Sequence, residues 1–163
     1  MKRQLDTAPI IMVAVDVTPG TEDLSQTLRQ TVQSVFRTVA NARLTCVTVR
    51  KTPLVGIDYG LDESGQNLHV KWLADVKIWA RLLDIPAERI SYHVLEAPDP
   101  AVALVNYAKT NHVNHLVIGA RGSSTLRRFL GSVSARVVAE APCTVTVVRV
   151  PEEATNDEPG QPE

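Results

Sequence analysis

Aromatic residues make up only 4% of this 163-residue chain, against 44% apolar residues overall. With Val, Leu, Ile and Ala supplying that apolar content, a buried sheet covered by helices is favoured over an aromatic-rich β-sandwich. Cysteine is equally scarce, with Cys46 and Cys143 the only two. Each lies inside a β-like run, which makes it a buried apolar residue rather than half of a disulfide or a metal ligand. An excess of charge is also missing: the formal net charge is −1, and the one tight basic cluster, Arg127-Arg128, is too small for a nucleic-acid footprint. No apolar stretch approaches membrane-spanning length. The run from Ile10 to Val15 is short and closes on Asp16 without a cleavage-like site, so no signal peptide is expected. These absences point to a soluble, cytoplasmic chain with no nucleic-acid or membrane partner, long enough to bury one core unaided.

Five strand-like runs alternate with helix-like segments. Pro9 to Asp16 forms the first strand, and Leu24, Leu28, Val32, Val35 and Val39 then share one helical face. Arg43 to Arg50 is a second strand rich in β-branched residues. Lys51 to Gln66, punctuated by Pro53, Gly56, Gly60 and Gly65, reads as a long, mobile loop. A second helix carries the stripe Leu68, Trp72, Val76, Trp79 and Leu83, which packs it on the sheet, and Pro86 ends it. Arg89 to Leu95 is a third strand. Asp99 caps a third helix, with Pro100 at its first position. His115 to Ile118 is the fourth strand, and Cys143 to Val150, after a helix stopped by Pro142, is the fifth. From Pro151 onward the chain is rich in Pro, Gly and acidic residues, so residues 151–163 are expected to be an acidic disordered tail behind a folded unit of 1–150.

Such alternation implies an α/β fold, a five-stranded parallel sheet with helices on both faces. Ligands bind these sheets outside the carboxyl ends of the strands, where the strand order reverses. If the strands ending at Asp16 and Gly119 are neighbours, a carboxylate and a glycine loop share one crevice. The loop itself, Gly119-Ala-Arg-Gly-Ser-Ser-Thr-Leu-Arg-Arg-Phe-Leu-Gly-Ser-Val-Ser134, is built for phosphate. Its glycines admit close approach of the backbone, and the helix that follows offers N–H groups and the positive end of its dipole. Ser132 serves as N-cap of that helix, and Ser132 and Ser134 add hydroxyl donors. Arg121, between the glycines, is within reach of a phosphate. Asp16 fits two roles equally, capping the turn after the first strand or contacting a ligand.

This arrangement resembles the universal stress protein family, in its ATP-binding branch. The resemblance covers nearly all of residues 1–150, which are therefore expected to form a universal stress protein domain with a Rossmann-like, adenine nucleotide alpha hydrolase-like fold. The family's ATP signature is Gly-x-x-Gly, nine residues, then Gly with Ser or Thr. Gly119-Ala-Arg-Gly122 matches the first half and Gly131-Ser132 the second, with eight residues, Ser123 to Leu130, between them. The resemblance implies that Asp16 contacts the nucleoside and that Val49 lines the adenine pocket. It further implies that Gly119, Gly122 and the Gly131-Ser132-Val133-Ser134 helix start hold ribose and phosphates. A homodimer through the last strand, Thr144 to Arg149, is implied as well, and would cover an exposed sheet edge.

Catalytic machinery is not legible. The loop lacks the Gly-Lys-Ser/Thr of a P-loop, and no Ser-His-Asp or Cys-His arrangement stands out. His112 and His115, without a nearby Cys or acidic cluster, do not make a metal site. Three functional readings stay open: a stress-response switch that binds ATP with Mg²⁺, a dimeric interaction protein that binds no nucleotide, and a slow ATPase relying on Mg²⁺ and Asp16.

Overall fold

The computed structural model describes residues 7–120 and 130–150. Five strands alternate with four α-helices: β1 (Ile10–Ala14), α1 (Glu22–Thr38), β2 (Arg43–Lys51), α2 (Leu68–Ala80), β3 (Ile90–Ala97), α3 (Pro100–Thr110), β4 (His115–Gly119), α4 (Ser132–Glu140) and β5 (Thr144–Val148). All strand pairs are parallel and the order is β3-β2-β1-β4-β5. The expected α/β class is what the structure adopts.

Strand periodicity sorts the core into two layers. Ile11, Val13, Leu44, Cys46 and Val117 face one way and meet α1 and α2 through Leu28, Val32, Val76 and Trp79. Met12, Val47, Leu116 and Ile118 face the other way and meet α3 and α4 through Ala101, Leu104, Ala108 and Val137. Both cysteines are free. Burial pushes the Cys46 thiol up to about 12, so it behaves as a small apolar residue rather than a nucleophile. Burial also lowers the pKa of His115, whose Nε2 lies 2.7 Å from Thr146 Oγ1 across β4 and β5.

Several boundaries differ from expectation. β1 starts one residue later because Pro9 has no N–H to give the ladder, although its carbonyl accepts from Arg43 N–H at 2.8 Å. α2 ends at Ala80, well before Pro86, and the chain turns so that Leu83 still reaches the core. The segment after β2 is pegged at several points. Arg50 Nη1 is 2.7 Å from Asp58 Oδ2, Leu61 bridges to Asn67, and Asp62 Oδ1 accepts from Ser64 and Gln66 N–H groups, each at 2.9 Å. The Gly60 N–H first, then the Arg50 guanidinium, hold the Asp58 carboxyl below its ordinary range. Leu54, Val55, Ile57 and Tyr59 nonetheless stand exposed on this segment.

Caps fix the starts of two helices. Asp99 Oδ1 accepts the Ala101 and Val102 N–H groups at 3.1 and 3.2 Å, as Asp-Pro before an apolar stripe predicts. Its Oδ2 also accepts from Arg136 Nη1 at 2.6 Å, tying α3 to α4. Asn67 Oδ1 accepts the Val70 N–H at 3.1 Å at the head of α2. Asn67→Ala removes this bond, and a loss of about 1 kcal/mol is expected. A urea midpoint lowered at unchanged slope is the check.

Candidate functional site

The site is made by connectivity. From β1 the chain runs through α1 to β2 on one side, and it later returns to β4 on the other side of β1. At that reversal the loops leaving the carboxyl ends of β1 and β4 part, and a crevice opens. It encloses about 440 Å³. Asp16 from the end of β1, Val49 from β2, Gly119 from β4 and residues 131–134 from the start of α4 all line it. The structure thus brings seven of the nine sequence-derived site residues to one cavity. Arg121 and Gly122 lie outside the described residues, as do Arg127-Arg128 and the tail 151–163.

Asp16 Oδ1 accepts from the Thr18 N–H at 3.0 Å and from the Thr18 hydroxyl at 2.6 Å. Turn-capping is therefore one job of this carboxylate, done from a position on the cavity wall. At Gly119 the end of β4 lies against Leu24 of α1. A Cβ built there would lie 2.8 Å from Leu24 Cδ2, and Leu24 also lines the cavity. The glycine accordingly serves close approach rather than an unusual backbone angle.

At α4 the expectation for serine needs correcting. The N-cap position is Gly131, with no side-chain cap bond, and Ser132 is the first helical residue. The Ser134 side chain turns inward: the residue is 2% exposed, and its hydroxyl donates to the Gly131 carbonyl at 3.1 Å. That hydrogen is spent on the backbone, because a buried hydroxyl must find an acceptor. The helix ladder starts with Ala135 N–H donating to Gly131 C=O at 2.9 Å. The preceding N–H groups, of residues 132–134, fall outside that ladder at the positive end of the dipole. What α4 presents to the crevice is main-chain donors, plus the exposed Ser132 hydroxyl.

Two of the lining residues that sequence reasoning did not assign to the site bear on its chemistry. Lys51, the last residue of β2, lines the cavity and is solvent-exposed, and no carboxylate among the described residues pairs with it. Its signal was available, since it stands two residues after Val49 on the same strand. Trp72 of α2 also lines the cavity. The helical stripe expected it to pack the helix on the sheet, as Trp79 does. Among the described residues no group of three or more His, Cys, Asp or Glu is placed to hold a metal ion. No helix among them is long and apolar enough to cross a membrane.

Comparison with known proteins gives a consistent picture. Residues 8–149 match the sequence model of the universal stress protein family. A universal stress protein from Methanothermobacter thermautotrophicus is 41% identical over 56 residues, which is 34% of this chain and 38% of that one. The chain thus spans well under half the length of the curated relative it matches. Among solved structures, a universal stress protein in complex with cAMP superposes with a TM-score of 0.62 at 21% identity, covering 88% of this chain and 98% of the other. An Arabidopsis thaliana protein of that family with AMP bound gives 0.60 at 17% identity, covering 93% and 98%. UspA from Lactobacillus plantarum gives 0.54 at 23% identity, covering 86% and 97%.

Proposed function

The chain belongs to the universal stress protein family, and on that premise we propose that it binds an adenine nucleotide, ATP with Mg²⁺, in this crevice and acts as a stress-response switch. The observation that carries the reading is the meeting of the α4 N-terminus, Gly119 and Asp16 with the end of β2 around one cavity of about 440 Å³. Main-chain N–H groups at a helix start suit phosphates, and the apolar wall at Val49 suits a base. The relatives solved with cAMP and AMP support the same ligand class. Mg²⁺ in such sites is held chiefly through the phosphates with one or two carboxylates. Asp16 is the carboxylate that the described lining supplies.

The protein would act as a homodimer joined through Thr144 to Arg149. β5 is one of the two sheet edges, paired only with β4 among the described strands, and a second copy would satisfy its outer backbone groups. The eight-residue run between Gly122 and Gly131, one shorter than the family signature, favours a second reading: a dimeric interaction protein without nucleotide.

Mass spectrometry of nucleotide released from freshly purified, denatured protein separates the two. ATP or ADP in near-equimolar amount is the expected result. A protein that emerges empty and ignores added MgATP in calorimetry overturns the nucleotide reading and leaves the interaction protein.

A further inference from the structure

α2 carries the chain's two tryptophans two turns apart, and their surroundings differ. Trp79 is 7% exposed and packs into the cluster between the sheet and α1. Trp72 is half-buried, joins neither apolar cluster, and lines the crevice. A large indole excluded from the core and kept at a cavity wall is a surface for something flat and apolar.

Its place in the sheet identifies the occupant. α2 packs on β2 and β3, whereas α4 packs on β5 and α3. With the order β3-β2-β1-β4-β5, the indole therefore stands on the β2 side of the crevice and the main-chain donors on the β4 side. β2 and β4 are two strand spacings apart, about 10 Å, and α2 and α4 cover opposite faces of the sheet, so the two groups are separated by at least that distance. At the same β2 end of the crevice, the other face of the sheet contributes Val49 and, from α3, Pro100 and Leu104. A ligand with a planar apolar ring at one end and an anionic group at the other, about 10 Å away or more, fits this polarity.

We infer that Trp72 is the platform on which the nucleobase stacks, and that it sets the preference of the crevice for a nucleotide over a bare sugar phosphate. The inference rests on the nucleotide reading above. Aromatic stacking tolerates any base but requires one, so ligands lacking the ring gain nothing from Trp72.

The test uses the full chain with two probes, AMP and ribose 5-phosphate, by calorimetry and tryptophan emission. AMP is expected to change the emission of the wild type. In Trp72→Phe, where Trp79 is the remaining tryptophan, that response is lost while AMP affinity stays within a few-fold, because the ring is kept. Trp72→Leu keeps apolar bulk without the π-face and should weaken AMP binding by about 10- to 100-fold, the range a base–aromatic stack carries. Ribose 5-phosphate should bind all three forms equally. An emission response that persists in Trp72→Phe, unchanged AMP affinity in Trp72→Leu, or equal losses for both probes overturns the platform and leaves the nucleotide reading standing. A wild type that binds neither AMP nor ATP overturns both.

Discussion

Replacing Gly119 with valine is expected to weaken AMP binding by about 100-fold or more, the equivalent of about 2.7 kcal/mol, while the sheet stays folded. The first carbon of any side chain there meets Leu24, with Cδ2 at 2.8 Å and Cδ1 and Cγ both at 3.1 Å. Leu24 can swing its tip away, so the backbone need not move. Both residues line the crevice, however, and the branched valine and the displaced leucine together occupy volume that a ligand requires. Overpacking of this kind costs roughly 1–3 kcal/mol of stability, within what a domain of this size tolerates. Calorimetry with AMP on the variant, after circular dichroism has established its fold, reads the effect. Shortening Leu24 to alanine in the same molecule should restore part of the affinity, and the double-mutant cycle isolates the clash. Undiminished affinity in folded Gly119→Val would remove the end of β4 from the binding surface.

The fold was legible because each level of the pattern agreed. Val13 and Met12 alternate faces as a buried parallel strand requires, and the two core layers follow that alternation. The Asp-Pro signal at Asp99 and Pro100 marked the start of α3 correctly. Most of the crevice was legible for the same reason: strand ends are fixed by strand positions, and topology alone brings Asp16 beside Gly119.

What escaped was three-dimensional rather than periodic. A helical stripe says which face of α2 turns inward, but not that its first turns overhang the end of β2. Trp72 and Trp79, alike in sequence, therefore separate into cavity wall and core. The buried Ser134 hydroxyl found its acceptor one turn back at Gly131, a local bond that competes with any ligand. The segment after β2 was read as a mobile loop from its glycines. Its restraint comes from Arg50, a buried cation that must find carboxylates and takes Asp58 and Glu96, at 2.7 and 3.0 Å.

Leu116→Ala is expected to have the largest effect on stability, with little on binding. Leu116 is fully buried, opposite Met12 of β1 and Val145 of β5, in the layer beneath α3 and α4. Truncation removes apolar contacts and leaves a cavity that strands paired on both sides cannot close by collapse. A loss of about 2–5 kcal/mol follows. For a chain of this length that corresponds to a melting temperature lowered by roughly 5–15 °C. Thermal unfolding followed by circular dichroism measures it. Three residues along the same strand, about 10 Å, separate this position from Gly119, far enough for the two effects to be nearly independent. Below its melting transition Leu116→Ala should therefore bind AMP within about two-fold of wild type, the spread that additivity errors allow for separated sites. If affinity instead falls in step with stability, the packing under α4 is what holds its N–H groups in place. The crevice would then be a consequence of the core's rigidity, rather than a surface set on top of it.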